Sequence, residues 1–305
     1  MEYDIIIIGG GAAGLSAAIY ACRGGMKTLI IEKLSCGGQM MKTYEVDNYP
    51  GLPDKPGGEE ISAHMREQAE KFGVEIIRGN VKEILNGEKK RVIMRKGEYT
   101  AKAVIFAPGA KPKKLGAAGE NELYGAGVSY CATCDGAFFK GKRTAVIGGG
   151  NTAFEDAAYL SRLCEKVYII NRSGRFRAAE KLVRSVRDAG NIEILTDTVA
   201  ERFNGAQALE SISIKNVKTD EKKEIAVSGA IVAIGVTPES DVAKACGIET
   251  DQNGFIKTNE YMQTNKSGFF AAGDVRTTPL RQIITAAADG AVAAVGAVNY
   301  INSEF

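Results

Sequence analysis

The residues best suited to chemistry are two cysteines and an aspartate in the stretch SYCATCDG, namely Cys131, Cys134 and Asp135. A CxxC spacing brings two sulfurs close enough to form or break a disulfide bond with little backbone change. One thiolate can attack an outside disulfide, and the other can resolve the mixed disulfide that results. A carboxyl group beside the second cysteine can protonate a departing sulfur. The pattern therefore indicates a redox-active disulfide with an acid next to it.

The remaining cysteines and the single histidine offer no strong alternative chemistry. A zinc site would need two more soft ligands, and the sequence holds no second CxxC, so we expect no metal. His64 lies in an amphipathic stretch that predicts an exposed helix, and we interpret it as a surface residue. Four isolated cysteines are interpreted as packing residues, the first two in predicted helices: Cys22, Cys164, Cys36 and Cys246.

The composition describes a folded protein of two domains with little charge bias. The chain has 305 residues, 45% of them apolar, and 39 basic against 37 acidic residues give a net charge of +2. No broad basic field is available to bind nucleic acid or an anionic membrane. The N-terminus lacks the basic region of a signal peptide, and no apolar run approaches the ~20 residues of a membrane span. These features predict a cytoplasmic protein.

The elements that must position the cysteines begin with a nucleotide-binding fingerprint at the N-terminus. Gly9, Gly11 and Gly14 follow an apolar run in GxGxxG spacing and lead into an alanine-rich helical stretch. The first glycine permits a tight turn, the second lets a pyrophosphate approach the backbone, and the third lets helix and strand pack closely. The next apolar run ends at Glu32, which can accept hydrogen bonds from a ribose. Together these features predict a dinucleotide site.

The same pattern returns in the middle of the chain with one informative change. Another apolar run leads into GxGxxA spacing at Gly148, Gly150 and Ala153. Three arginines, and no acid, follow the next apolar run: Arg172, Arg175 and Arg177. Arginines at this point suit a 2′-phosphate, so the second dinucleotide is predicted to be NADPH. A solvated basic turn is the alternative interpretation.

Further strands and the order of the pieces predict an inserted domain. Three more apolar runs are closed by glycine, at 104–110, 230–238 and 268–275. In the last run Asp274 follows Gly273, where it can hold the polyol chain that FAD has and NADP lacks. We therefore predict an α/β protein of two Rossmann-like, three-layer ββα domains. An FAD domain at 1–112 and 243–305 is interrupted by an NADPH domain at 113–242.

These motifs resemble those of the low-molecular-weight thioredoxin reductases of bacteria, archaea, plants and fungi. That group belongs to the FAD- and NAD(P)-dependent pyridine nucleotide-disulfide oxidoreductases. The resemblance covers nearly all of the chain and is carried by GGGAAGLSAAIYA, GGQ at 37–39, DNYPG at 47–51, CATCDG, GGGNTA and GDVRTTPLRQIITAAADG at 273–290. It implies bound FAD, NADPH as electron donor, thioredoxin as the protein substrate, and a homodimer.

The resemblance also implies a role for each site residue. Cys134 would face the flavin, Cys131 would attack the thioredoxin disulfide, and Asp135 would donate the proton. The residues that would line FAD are Gly9, Gly11, Ala12, Ala13, Gly14, Glu32, Gly38, Gln39, Asn48, Ala107, Gly109, Gly273, Asp274, Arg281, Gln282 and Ile283. Those that would hold NADPH are Gly148, Gly150, Asn151, Thr152, Arg172, Arg177, Ile234 and Gly235.

The nicotinamide and the disulfide both belong to the inserted domain, yet each must meet the same flavin. In the family the NADPH domain rotates between the two half-reactions, and we expect the same rotation here, exposing Cys131 to thioredoxin. The family's 2′-phosphate motif carries an arginine where this chain has Ser173, with Arg175 close by in sequence. Use of NADH therefore stays open beside use of NADPH.

Two other functions stay open on the sequence alone. One is a related flavoprotein disulfide reductase or dithiol oxidase that uses NADH or passes electrons to another acceptor, such as a peroxiredoxin-reducing protein or oxygen. The other is a nucleotide-sensing protein in which the CxxC pair acts as a redox switch. NADPH-driven turnover of a disulfide would separate an enzyme from a sensor.

Overall fold

A computed structural model describes residues 1–43, 45–52 and 54–305. The chain forms two compact units, one built from Met1–Lys111 and Thr237–Phe305 and the other from Pro112–Val236. The second unit is therefore inserted into the first, and the chain passes between them twice. This division does not decide which cofactor each unit binds, so the predicted cofactor domains stay a prediction.

The first unit is built on a seven-stranded mixed sheet. Its strands are β1 (Glu2–Ile8), β2 (Thr28–Glu32), β3 (Glu75–Arg78), β4 (Val81–Leu85), β5 (Lys90–Met94), β6 (Glu98–Phe106) and β17 (Phe269–Ala271). Their order is β3-β2-β1-β6-β5-β4, with β17 pairing in parallel with β6. The four isoleucines of β1 are buried on both faces of the sheet, which suits a central strand with parallel neighbours.

Four helices complete the first unit: α1 (Ala12–Arg23), α2 (Gly58–Lys71), α6 (Asp241–Ala245) and α7 (Ile283–Glu304). α1 and α7 pack so closely at Gly290 that a β-carbon there would lie only 2.1 Å from the carbonyl oxygen of Ala13. By length and composition α7 is long and apolar enough to cross a membrane, which the sequence reading missed. Part of α7 is buried against α1, as in the core helix of a globular domain, so it is not a convincing membrane span.

The second unit is built on a five-stranded parallel sheet of order β11-β10-β9-β15-β8. Its strands are β8 (Val128–Ser129), β9 (Arg143–Ile147), β10 (Lys166–Ile170), β11 (Ile192–Leu195) and β15 (Gly229–Val232). Its helices are α3 (Ala132–Asp135), α4 (Asn151–Leu160) and α5 (Glu180–Arg187). A three-stranded antiparallel sheet accompanies them: β12 (Thr198–Asn204), β13 (Ser211–Asn216) and β14 (Lys222–Ala226). Two short strands, β7 (Ala110–Pro112) and β16 (Val236–Pro238), lie at the two crossings.

Two local predictions were wrong. The apolar run at 230–238 does not form one strand, since β15 ends at Val232 and β16 begins at Val236. The break contains Gly235, whose φ of 109° lies in a region that favours glycine. Cys164 was expected on a helix, but α4 already ends at Leu160 and the buried cysteine lies in the bend that follows.

A largely buried ion pair ties the turn after β17 to helix α7. The carboxylate of Asp289 accepts hydrogen bonds from Arg276 Nε at 2.8 Å and from the backbone N–H of Gly273 at 3.1 Å. The two side chains are only 13% and 16% exposed, so neither charge is well solvated. Removing one partner would leave the other charge buried and unpaired, which is costly.

We predict that Asp289→Asn lowers the free energy of unfolding of the apoprotein by roughly 2–4 kcal/mol. Urea denaturation followed by circular dichroism measures this change. The matched control is Glu70→Gln, which breaks an exposed pair with Arg66 in the same unit and should cost less than about 0.5 kcal/mol. Equal effects of the two substitutions would contradict the assignment of Asp289 as a buried partner.

Candidate active site

The predicted redox pair is a disulfide in the structure. Cys131 lies just before the one-turn helix α3, and its sulfur is bonded to that of Cys134, with the two Cα atoms 5.3 Å apart. The backbone N–H of Cys134 also points to the sulfur of Cys131 at 3.2 Å. A hydrogen-bond donor at this distance favours the thiolate form of Cys131 once the disulfide is reduced. The loop therefore suits thiol–disulfide exchange.

The other four cysteines are free thiols, two of them buried (Cys36 and Cys164) and two half-buried (Cys22 and Cys246). Burial raises the pKa of each of these thiols above its usual range, which makes them poor nucleophiles. Among the residues that the structure describes, no three or more His, Cys, Asp or Glu side chains come together to hold a metal ion. Among the six cysteines, the bonded pair is therefore the one suited to thiol–disulfide exchange.

Asp135 sits at the end of α3, beside the second cysteine. Burial raises the pKa of its carboxyl, and a hydrogen bond from the Ser129 hydroxyl partly opposes this rise. A carboxyl group with a raised pKa is suited to holding and delivering a proton. His64 is exposed on α2, which confirms that it is a surface residue.

A buried glutamate holds the segment that enters the redox loop. Glu120, 1% exposed, accepts hydrogen bonds from the Tyr130 hydroxyl at 2.8 Å and from the backbone N–H groups of Leu115 and Gly116 at 2.8 and 2.7 Å. Tyr130 directly precedes Cys131 in the chain. The glutamate therefore fixes the backbone immediately before the first redox sulfur.

The N-terminal glycine turn has the geometry of a phosphate cradle. A β-carbon at Gly14 would lie 1.9 Å from the carbonyl oxygen of Gly9, so only glycine allows this contact between helix and strand. A β-carbon at Gly11 would meet nothing within 4 Å, and no side chain caps the helix there. The first N–H groups of α1 thus face open space that suits a pyrophosphate. Glu32 is oriented by the N–H groups of Gly10 and Leu34, at 2.7 and 2.8 Å.

Two charged groups near the start of α7 are half-buried with few hydrogen bonds to the described chain. Asp274 is held in the turn after β17, and burial raises its pKa to about 6. It has no hydrogen-bond partner within the ranges the structure describes. Arg281 stacks over the ring of Phe255 at 4.2 Å, and its buried Nε atom likewise has no described partner. Polar atoms that lack hydrogen-bond partners within a protein are explained when a bound polar ligand supplies those partners.

The other residues predicted to line FAD belong to the same unit and cluster at strand ends and helix starts. Asn48 donates to the side chain of Gln282 at 3.1 Å, and Gln39 donates to the carbonyl of Ala110 at 3.2 Å. The remaining positions follow β1 or β6, or open a helix: Ala12, Ala13, Gly38, Ala107, Gly109, Gly273 and Ile283. Ligands of parallel sheets bind at such carboxyl ends. The residues of this unit therefore fit FAD.

The second glycine turn repeats this arrangement in the inserted unit. Gly148 adopts a φ of 153°, and a β-carbon there would lie 2.4 Å from the carbonyl oxygen of Ala233. A β-carbon at Gly150, directly before α4, would meet nothing within 4 Å. Asn151 and Thr152 begin α4 and are exposed. This turn also leaves an open cradle at a helix start.

The arginine turn is fastened to the second glycine turn by Asn171. This buried side chain donates to the carbonyl oxygens of Ser173 and Arg175 at 2.6 and 3.2 Å, and a β-carbon at Gly149 would collide with it. The backbone N–H of Arg177 donates to the carbonyl of Gly149 at 2.7 Å. Arg172, Arg175 and Arg177 are all exposed, and none forms an ion pair within the described chain. Ile234 and Gly235 follow β15 in the same unit. These residues fit NADPH.

Sequence reasoning missed two polar groups of the inserted unit. Ser129 is 3% exposed and bonds to the redox loop on both sides. Asp156 lies on α4, and burial together with the neighbouring Glu155 raises its pKa to about 7. The only signal for Asp156 was an acid among the alanines and leucine that form the buried side of the helix. Ser129 stands two residues before the first cysteine and outside the CxxC motif, so the sequence pattern gives it no role.

We predict that Asp274→Asn stabilises the apoprotein at pH 7. The folded-state pKa is raised above the unfolded value, so stability present at low pH is lost as pH rises from about 4 to about 6. Removing the carboxylate should therefore add on the order of 2 kcal/mol at pH 7 and nothing near pH 4. Urea denaturation of the apoprotein across this range measures the effect, with the exposed Asp188→Asn as control. An apoprotein that is less stable at pH 7 would refute the assignment.

Comparison with known proteins gives a consistent result over nearly the whole chain. A family model described as pyridine nucleotide-disulphide oxidoreductase matches residues 3–290. A thioredoxin reductase of Peptoclostridium litorale is 44% identical over 310 residues, covering 99% of this chain and 98% of the relative. One of Bacillus subtilis is 43% identical over 301 residues, covering 98% and 95%.

Solved structures agree. The crystal structure of a thioredoxin reductase from Streptococcus pyogenes has a TM-score of 0.94 at 40% identity, covering 99% of both chains. This likeness, with the parallel sheets described above, confirms the predicted α/β fold of two Rossmann-like domains.

Proposed function

This chain belongs to the pyridine nucleotide-disulphide oxidoreductase family, and we propose that it is a thioredoxin-disulfide reductase. Electrons would pass from NADPH through FAD to the Cys131–Cys134 disulfide and on to oxidised thioredoxin. The observation that carries this proposal is the bonded cysteine pair with an acid beside it, in a chain with two open glycine turns. The relatives named thioredoxin reductase support the same substrate.

FAD, when bound, would accept a hydride from the nicotinamide and make two electrons available to a disulfide. The residues of the first unit would hold it. The N–H groups at the start of α1 would bind the pyrophosphate, and Glu32 would accept from the adenosine ribose. The Asp274 carboxylate would accept hydrogen bonds from the polyol chain, and the unpartnered Nε–H of Arg281 would donate a hydrogen bond to FAD. The other residues predicted to line FAD would form the rest of its binding site.

Once the pair is reduced, exchange with thioredoxin needs no further redox partner. The thiolate of Cys131, stabilised by the N–H of Cys134, would attack one sulfur of the thioredoxin disulfide and form a mixed disulfide. Cys134, once its proton has returned to the Asp135 carboxylate, would then attack Cys131, restoring the internal disulfide and releasing the second thioredoxin sulfur. Asp135 would act as the proton donor when the internal disulfide is cleaved.

Rotation of the inserted domain between half-reactions belongs to this proposal. The domains would be an FAD domain at 1–112 and 243–305 and an NADPH domain at 113–242. The support is that the chain passes between the two compact units only twice, so few covalent links restrain a rotation. Each crossing contains a short strand, β7 or β16.

NADPH is proposed as the preferred donor over NADH. Three exposed arginines without acidic partners stand on the turn that Asn171 fixes beside the second glycine turn. Guanidinium groups bind phosphate through paired hydrogen bonds, which suits the 2′-phosphate. Arg175 would compensate for the missing arginine at Ser173.

A cytoplasmic homodimer with thioredoxin as partner completes the proposal. The exposed side of α7 carries an apolar stripe at helical spacing: Ile284, Ala288, Val292 and Val295. Such a stripe on a water-facing helix is a feature of protein–protein interfaces. A second copy of the chain is the proposed occupant of this stripe.

We predict that Cys134→Ser reduces NADPH-dependent thioredoxin turnover below about 0.1% of the wild-type rate, because the disulfide cannot form. NADPH should still reduce the bound flavin, and the loss of the flavin's visible absorption measures this reduction. The matched control is Cys22→Ser, a half-buried free thiol, which should keep turnover within about twofold. Undiminished thioredoxin turnover in Cys134→Ser would contradict the proposal. NADPH oxidation by the wild-type protein with oxygen as the sole acceptor would favour a dithiol oxidase.

We also predict that Arg172→Ala raises the Michaelis constant for NADPH by roughly tenfold and that for NADH by less than about twofold. The loss corresponds to one charge-assisted hydrogen bond to the 2′-phosphate. Steady-state kinetics with both nucleotides measures the difference. Arg187→Ala, on the exposed side of α5, is the control. Equal effects on both nucleotides would show that Arg172 does not contact that phosphate.

A further inference from the structure

We propose that Ser129 is a positioning residue for the proton donor: its hydroxyl holds the Asp135 carboxylate beside the redox sulfurs and controls when that acid releases its proton. The inference rests on the proposed function, in which Asp135 supplies the proton for disulfide cleavage. Neither the motif nor the family assignment gives this serine a role.

The hydroxyl of Ser129 spans the CxxC loop. Its oxygen accepts a hydrogen bond from the backbone N–H of Cys131 at 3.0 Å, and the hydroxyl donates to Asp135 Oδ2. A hydroxyl has one proton to give, and the carbonyl of Cys131 at 3.4 Å is the weaker acceptor. The residue that begins the loop and the acid that ends it are thus tied to the same oxygen atom.

The serine is held in place by the parallel sheet. It ends β8, where Ser129 pairs with Ile231 of the parallel strand β15, and its side chain is only 3% exposed. α3, by contrast, is a single turn of four residues and cannot fix an end by its own hydrogen bonds. The sheet therefore sets the position of the Asp135 carboxylate through Ser129.

The same bond acts on the protonation of Asp135. Burial raises the pKa of this carboxyl, whereas the bond from Ser129 stabilises its charged form and lowers the pKa. Tyr124 is the ionisable neighbour, with its own pKa raised by burial and by Asp135. The nearby buried acid Glu120 is satisfied by Tyr130 and two backbone N–H groups. In the part of the chain that the structure describes, the hydrogen bond from Ser129 is the interaction that lowers the pKa of Asp135.

The proton balance gives this arrangement a purpose. When the S–S bond takes up two electrons in the proposed reaction, one sulfur would take a proton from Asp135 and the other would stay a thiolate. Asp135 becomes a carboxylate at that moment, and the Ser129 hydroxyl is already oriented to donate to it. Preorganised donors of this kind lower the cost of a charge that develops during a reaction.

The test is Ser129→Ala in the holoenzyme, with the titration of Asp135 followed by NMR of protein labelled with carbon-13 at the aspartate carboxyl. Asp135→Asn identifies the resonance. We expect the midpoint for Asp135 to move to higher pH in Ser129→Ala and to return toward wild type in Ser129→Thr, which keeps the hydroxyl. Ser211→Ala is the matched control, because Ser211 is also a buried serine that donates to a carboxylate, that of Glu224. It should leave Asp135 unchanged.

A second readout ties the bond to turnover. The limb of the pH–rate profile that disappears in Asp135→Asn should move to higher pH in Ser129→Ala. On the plateau where Asp135 is protonated in both proteins, kcat should fall roughly tenfold, because the acid is no longer held in position. An unchanged Asp135 midpoint, or a shifted midpoint with an unmoved limb, would overturn the proposal. The NMR comparison needs no turnover. A wild-type protein that fails to reduce thioredoxin would therefore refute the proposed function, while the titration still decides the role of Ser129.

Discussion

Close contact between a strand end and a helix start, with no side chain between them, is the constraint on which both units depend. In the first unit a β-carbon at Gly14 would strike the carbonyl oxygen of Gly9, and in the second a β-carbon at Gly148 would lie only 3.0 Å from the β-carbon of Ala153 in α4. These contacts let each helix begin directly above its strand, with its free N–H groups toward open space. The other site residues lie at neighbouring strand ends, near the start of α7, or on the loop that carries the cysteines.

Three carboxyl groups with raised pKa values lower the folding stability of the chain near neutral pH. Burial raises the pKa of Asp135, Asp156 and Asp274. A raised carboxyl pKa means that the folded chain disfavours the charge, so each group lowers stability near neutral pH. Groups of this kind are found where a ligand or a reaction needs them. Asp135 and Asp274 have such a purpose in the proposed function, and for Asp156 we have no physical account.

The sequence was informative where chemistry demands a residue type at a fixed spacing. The glycine turns, Glu32 and the CxxC pair follow from local rules, because each works within one strand–turn–helix segment or within one turn of helix. The rules failed where the outcome depends on distant packing. Cys164 was expected on a helix that ends four residues earlier, and the run at 230–238 breaks into two strands. Contacts such as Asp289 with Arg276, or Ser129 with Asp135, follow no periodic pattern and need the folded chain to be seen.

The insertion has a consequence for how this chain is made. β6 is completed by β17, and α1 packs on α7, so the first unit joins segments separated by most of the polypeptide. The inserted unit uses only contiguous residues, Pro112–Val236. On the ribosome, the middle of the chain has all its contacts available while β1 and α1 still wait for their last neighbours. During that interval the apolar side of α1 that α7 will cover is open to water, and chaperones would be expected to bind there.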